Sequence, residues 1–342
     1  MALSGRAWPA HPKPLDDELL SSWLVRTARA NGLKLQTFCD TVFGKEHQLW
    51  NRDIDRSAPE WLQAAMSEHT GTSQERVRQT TLDIYRGRIY HRRNTSGQLR
   101  WILPAGIYHR TRRHFGMQYC PQCLAEDEEP YFRTRWRVAA LTFCPIHRIC
   151  LHDRCSACDA PVIFHRRELG RPSTTDGSSL SLCYACHFDL RLAIRNDFIS
   201  YENSAGIFLD KVANHIFCID ANIDIDHFNV LHQLCKIIVS RRKSAKLATY
   251  TCRALGVSEL FYLKTRKTFE WRSIKERHHT IQLACWIMAD IGNRLDSTWR
   301  AKAARYSDFV RDFKQCPTWY KSTVRNFNKA ENMNKRTNKH NE

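Results

Sequence analysis

Four short pairs of metal-binding residues fall within residues 120–186: Cys120-Pro-Gln-Cys123, Cys144-Pro-Ile-His147, Cys155-Ser-Ala-Cys158 and Cys183-Tyr-Ala-Cys186. A turn of this length brings two donor atoms to one ion, and the chain between pairs returns the next pair to the same ion. The spacing predicts two zinc sites, Cys120, Cys123, Cys144 and His147 in the first and Cys155, Cys158, Cys183 and Cys186 in the second. With all four positions filled by protein, no place is left for a catalytic water, so both ions are expected to be structural. Each would supply on the order of 10 kcal/mol of folding energy to a segment too small for a large core. Cys150 and His152 lie close enough to compete for the first site, and His187 follows the second. The pair spacing favours His147, with Cys150 as packing. A redox role for the pairs needs a βαβ context that is missing here. The cysteines outside the pairs (39, 150, 218, 235, 252, 285 and 316) sit mostly on apolar or helical stretches and are expected in cores.

Other chemistry is sparse. There is no phosphate-cradling glycine loop, no G-x-S-x-G and no H-E-x-x-H, so no enzyme is indicated. The block Glu126-Asp127-Glu128-Glu129 lacks the alternating spacers of a hard-cation site and is expected to be a solvated acidic loop. Lys and Arg outnumber Asp and Glu by 53 to 35, a net charge of +18 that points to a polyanionic partner, nucleic acid first. From Ile84 to Arg113 there are eight arginines and no acid, interleaved with Tyr85, Tyr90, Trp101 and Tyr108. Such a stretch can hold phosphates and stack bases, or simply be a solvated face. Arg92, Arg93, Arg112 and Arg113, with Arg241, Arg242 and Lys243 further on, are the candidates for contact with nucleic acid or an acidic partner.

The elements that must position these residues read as mainly α. A helical domain is expected over 1–117. Asp16-Asp17-Glu18 can cap a helix carrying Leu20, Trp23, Leu24 and Thr27 on one face, and Asn31-Gly32 stops it. A second helix, Leu35 to Phe43 ended by Gly44, completes the outline of a helix-turn-helix, an outline that any two packed helices share. Thr72-x-x-Glu75 reads as a capping box opening a helix that runs to about Arg86. Tandem zinc-ribbon or zinc-finger modules occupy 118–192. A basic helical domain follows over 193–325, with one apolar stripe (Ile281, Ala284, Met288, Ile291, Leu295) and a second helix-turn-helix-like unit turning at Ala254-Leu-Gly-Val-Ser258, Ser258 capping its second helix. Residues 326–342 are polar, rich in Asn and Lys, and expected to be disordered. No apolar run of 18 residues and no signal-peptide h-region occurs, so a cytoplasmic chain with reduced cysteines and no membrane partner is expected.

The sequence resembles the TniQ/TnsD family of transposon target selectors. The resemblance is carried by Pro14-Leu-Asp-Asp-Glu-Leu-Leu-Ser-Ser-Trp23-Leu-Val-Arg26 with Ala30-Asn31-Gly32, by Tyr119-Cys120-Pro-Gln-Cys123 through Pro130-Tyr131-Phe-Arg133, and by Trp136-Arg137, Cys144-Pro-Ile-His147 and Cys155-Ser-Ala-Cys158. Where the family often has Pro and Gly inside and after the third pair, this chain has Ser156 and Asp159. The resemblance implies a non-enzymatic prokaryotic adaptor that selects a transposition target. It would link an RNA-guided Cascade-type complex, or target DNA, to an AAA+ regulator of the TnsC type. Chain length favours the TniQ type, often a homodimer in RNA-guided systems, over the longer attachment-site readers of the TnsD type. A helix-turn-helix transcription regulator would suit the same charge and helices. A zinc nuclease would need an open metal position.

Overall fold

The structure is a computed structural model and describes residues 7–91, 97–108, 111–112, 114–166, 180–217, 223–240, 246–260, 268–325 and 327. It is mainly helical, in two compact units: residues 1–86 with 92–197, and residues 87–91 with 198–342.

In the first unit α1 (Leu20–Ala30) and α2 (Leu35–Phe43) stand where the sequence places them. Asn31 and Gly32 (φ +67°) end α1, and Gly44 (φ +87°) ends α2. The start of α1 is built differently from the sequence expectation. Leu19 is the N-cap and makes no side-chain cap, and none of the acids 16–18 caps the helix. Asp55 does so from outside, its carboxylate accepting the Ser21 backbone N–H and hydroxyl, both at 2.8 Å. Asp17 turns away to Thr134 and Arg135. Glu18 accepts from Leu15 N–H and from the Ser22 hydroxyl, and pairs with Arg26 at 2.7 Å. Leu20 through Ala28 are buried all round, so α1 is a core helix.

Next come α3 (Glu60–Thr70), which the sequence reading did not place, and α4 (Gln74–Gln79). The cap of α4 is Ser73, whose side chain accepts Arg76 N–H; Thr72 is buried and its hydroxyl meets that of Thr70. The helix stops at Gln79, and a 3-10 turn (Leu82–Tyr85) replaces the rest of the expected run. Then follow the hairpin β1 (Ile107–Tyr108) with β2 (Thr111–Arg112), the short α5 (Pro121–Glu126), and the hairpin β3 (Phe143–Cys144) with β4 (Ile149–Cys150), paired Cys144 to Ile149. Arg137, 3 % exposed, is held by Asp53 at 2.5 Å, Asp55 at 3.3 Å and the Leu103 carbonyl at 2.9 Å.

The second unit is helical: α6 (Asn203–Phe217), α7 (Ile225–Ile238), α8 (Leu247–Leu255), α9 (Ile274–Ala289), α10 (Ile291–Arg300) and α11 (Tyr306–Val310), with helical residues at 318–325. Helix α9, opened by a Ser273/Glu276 capping box, packs on α6, α7, α8 and α10. The expected apolar stripe is split, because the chain leaves the helix at Asp290 and Ile291 and Leu295 belong to α10. Gly256 (φ +65°) caps α8 as the turn residues suggest; the helix expected after Ser258 falls mostly on 261–267, outside the described residues. Residues 87–91 belong to this unit, with Ile89 and Tyr90 buried, Arg88 donating to the His215 carbonyl and His91 meeting the Asn229 amide at 3.1 Å.

Burial pushes the Glu18 carboxyl up from 4.5 to about 7, against the pull of Arg26, and burial with the neighbouring Asp53 pushes Asp55 up from 3.8 to about 6. Each holds its proton more tightly folded than unfolded. The stability this contributes is present below the unfolded values and lost as pH rises through about 6 to 7. Glu18→Gln should therefore narrow its deficit, or gain, relative to the parent as pH rises from 5 to 7.5, read from denaturant midpoints of both proteins across that range.

Candidate metal centres

Cys120 is the N-cap of α5: its sulfur accepts the Cys123 N–H at 3.4 Å, and Pro121 fills the first helical position, where no N–H is needed. This turn places Cys120 and Cys123 side by side. The β3–β4 hairpin presents Cys144 and His147 from the other side. The four donor atoms lie within 4.8 Å of one another. His147 Nδ1 is 3.4 Å from the Cys120 sulfur, 3.3 Å from Cys123 and 3.5 Å from Cys144, and the Cys123 and Cys144 sulfurs are 3.6 Å apart. A tetrahedral ion with metal–sulfur bonds near 2.3 Å and metal–nitrogen near 2.0 Å has S···N edges of about 3.5 Å and S···S edges of about 3.8 Å. The donor set fits such an ion.

The second group, Cys155, Cys158, Cys183 and Cys186, is equally convergent, with Cys155 and Cys186 sulfurs 3.6 Å apart and Cys158 and Cys183 sulfurs 3.8 Å apart. Its two turns are copies of each other. In one, Asp159 N–H donates to the Cys155 carbonyl at 3.0 Å and Cys155 N–H to Ala160; in the other, His187 N–H donates to the Cys183 carbonyl at 3.1 Å and Cys183 N–H to Phe188. The fourth residue after each cysteine is left-handed, at φ +57° for Asp159 and +64° for His187, and Arg148 repeats the pattern after Cys144 at +54°. Cys158 and Cys186 are exposed, whereas the three cysteines of the first group are buried.

Without a cation the first group cannot hold three charges. Cys120 is pushed up to about 12, its hydrogen bond with Cys123 lowering it and that with Cys144, then burial, raising it. Hydrogen bonds from Cys120 and Cys144 raise Cys123, and the same contacts with Cys120 and Cys123 draw Cys144 down to about 2. A bound cation is what permits all three sulfurs to ionise together.

Glu126, Glu128 and Glu129 of the acidic block are exposed, as expected of a solvated segment, but the block also makes specific pairs. Glu126, on the last turn of α5, accepts from His147 Nε2 at 2.7 Å and from Gln122 at 2.9 Å. With the ring proton on Nε2, Nδ1 turns its lone pair toward the three sulfurs, the carboxylate–histidine arrangement of a metal's outer shell. The Gln122 amide and then His147 hold the Glu126 carboxyl below its usual range. Asp127 pairs with Arg133 at 2.6 Å, and that guanidinium lies over the rings of Tyr131 and Trp136. Glu129 pairs with Arg26 at 2.8 Å. The spacing of Glu126 from His147 gave no sequence signal; the hairpin creates it.

Cys150 and His152 stay apart from both groups: the Cys150 sulfur is 3.9 Å from the Asp197 carbonyl, and His152 Nε2 is 2.9 Å from the Ile194 carbonyl. Tyr85, Tyr90 and Trp101 of the arginine-rich stretch are buried and so are not stacking platforms, and the side chain of Tyr108 lies outside the described residues. Of its arginines, Arg86 pairs with Asp83 and Arg88 is bound to a carbonyl. Arg92, Arg93, Arg113, Arg241, Arg242 and Lys243, with the side chain of Arg112, lie outside the described residues.

Metal analysis of protein purified without chelator should return two ions per chain. Glu126→Gln should weaken retention at the first site by roughly 10- to 100-fold and leave the second unchanged, measured by competition with a chromophoric chelator. Asp159→Gly should relieve the left-handed strain and stabilise the folded chain by about 0.5–1 kcal/mol, read from the denaturation midpoint.

No curated protein matches the chain. Residues 9–151 match the TniQ family, a span running from the segment before α1 through the whole of the first metal centre to the end of β4. Over that span, which holds α1 with its buried Glu18–Arg26 pair, the stacked Asp127–Arg133 pair and the first group of metal-binding residues, the chain is similar to the TniQ family.

Proposed function

We propose that the protein is a non-enzymatic adaptor that selects the target of DNA transposition, bridging a target-recognition partner and the AAA+ regulator of the transposase. The observation that carries this reading is the TniQ match over residues 9–151. The metal centres support it. Both are closed four-donor sets of soft ligands, which suit zinc in a structural role, Cys120, Cys123, Cys144 and His147 holding one ion and Cys155, Cys158, Cys183 and Cys186 the other. Rigid modules of this kind hold two binding faces at fixed geometry, and a bridge gains effective concentration from that without new contacts. The recognition partner is an RNA-guided Cascade-type complex in the TniQ reading favoured here, and target DNA in the TnsD reading. Deletion of this gene from a cell carrying the whole transposon should collapse insertion at the selected site while the transposase retains strand-transfer chemistry. Targeted insertion at full frequency without the protein would end the proposal.

The exposed side of α2 bears on how DNA is met. It presents Gln36, Thr37, Asp40 and Thr41, one acid and no base, which is a poor match to phosphate. We assign phosphate contact instead to Arg92, Arg93, Arg112 and Arg113 and to Arg241, Arg242 and Lys243. Each phosphate contact adds about 0.9 to the log–log salt slope on duplex DNA, so replacing the four arginines of the first group should flatten it by about three to four. An unchanged slope in a folded variant would move that group to a protein interface.

A further inference from the structure

The two donor groups differ in what they show to solvent. In the first, Cys120, Cys123 and Cys144 are buried, and the least buried donor residue is His147, whose Nε2 is held by Glu126 and whose ring carries no sulfur. In the second, Cys155 and Cys183 are buried but Cys158 and Cys186 are exposed. Their surroundings are open as well, since Ser156, Ala157 and Asp159 in one turn and Ala185 and His187 in the other are exposed. The other described cysteines outside the two groups are buried, or half-buried at Cys150 and Cys316. Cys158 and Cys186 are thus the most accessible cysteines among the described residues.

Exposure has a chemical consequence here, because a metal-bound cysteine is a thiolate and the thiolate is the form that oxidants attack. Each exposed sulfur also has a buried one within reach. Cys186 lies 3.6 Å from Cys155 and Cys158 lies 3.8 Å from Cys183, each pair joining one turn to the other. In the first group the donor nearest the surface is an imidazole, which has no thiolate to offer.

We propose that Cys158 and Cys186 form a peroxide-oxidation site through which the second centre gives up its ion while the first keeps its own. The inference rests on the second group holding an ion and is independent of the adaptor reading above. The exposed thiolate attacks hydrogen peroxide: an S–O bond forms, the O–O bond breaks, and the departing hydroxide takes up a proton to become water. The thiolate of the buried neighbour then attacks the sulfenic acid, forming the S–S bond as the S–O bond breaks, and the second hydroxide also leaves as water. Two thiolates, one peroxide and two protons give one disulfide and two waters, with sulfur oxidised and peroxide reduced. Two donors remain, too few for a closed tetrahedral site.

The test treats the full metal-loaded chain with hydrogen peroxide, reads released ion with a chromophoric chelator, and maps the cysteines by alkylation and mass spectrometry. One ion per chain should leave at least about tenfold faster than the other, as exposure of the thiolate dictates. A disulfide linking the 155–158 turn to the 183–186 turn should appear with it, and dithiothreitol with added zinc should restore both. Cys158→His combined with Cys186→His keeps four donors of types that zinc accepts and removes both exposed sulfurs, so this variant should keep its second ion under the same treatment. The map of the parent decides the matter even where that variant fails to fold. Equal loss of both ions, earlier oxidation of Cys120, Cys123, Cys144, Cys150 or Cys316, or release without the disulfide between the turns would each overturn the assignment. A chain that carries no ion at the second group before peroxide is added would overturn it at its premise.

Discussion

Four electron-rich donors held within van der Waals reach of one another repel as soon as they ionise, and a cation at their centre is what turns that repulsion into a fastening. Much of the first unit hangs on this constraint at Cys120, Cys123, Cys144 and His147. The same four residues fix where α5 starts and how the β3–β4 hairpin faces it. Glu126 then orients His147 from the far end of α5, and the next acids along reach outward, Asp127 to Arg133 and Glu129 to Arg26. The residues after them run alongside the beginning of α1, where Leu19 N–H donates to the Phe132 carbonyl at 2.9 Å and Phe132 N–H to the Ser22 hydroxyl at 3.0 Å. The metal centre and the first helix are thus consecutive links in one chain of contacts.

That chain explains why a helix as buried as α1 tolerates charge around it. Its first turn has no local cap, and Asp55 takes over the role from a fixed position. Removing one partner of a buried pair leaves the other charge stranded, a loss of about 3–5 kcal/mol, whereas the intact pair adds little net stability. Arg137 and Arg26 act chiefly to define one arrangement of the segments that meet at α1.

The convergence of the two Cys/His groups was legible in the sequence because its information is local: each pair sits in one turn, and the left-handed residue that closes three of those turns is a fixed four positions on. The helices α1, α2 and α8 were legible for the same reason, with Gly or Asn at their ends. Helix α3 carried comparable signals, Pro59 before it and Gly71 (φ +60°) after it, with Leu62 and Met66 on its buried side. The partners of the acidic residues were not legible because they are distant in sequence. Nothing adjacent to Glu126 announces His147, and nothing near Asp16-Asp17-Glu18 announces that Asp55, 34 residues beyond Ser21, will occupy the helix start. Tyr85, Tyr90 and Trp101 were misplaced for a related reason. Interleaving with arginine suggests a surface, but burial is decided by which residues the turns at 82–85 and 87–91 bring inward.

Residues 87–91 give the chain a schedule as well as a shape. They pack within the unit formed by 198–342, yet they are made roughly 100 residues earlier. At synthesis rates of about 5–20 residues per second, Ile89 and Tyr90 wait about 5–20 s for the helices that will cover them. During that interval two apolar side chains stand among arginines, which keep the waiting segment hydrated. Residues 86–93 carry four arginines and no acid, so the segment that waits is strongly charged.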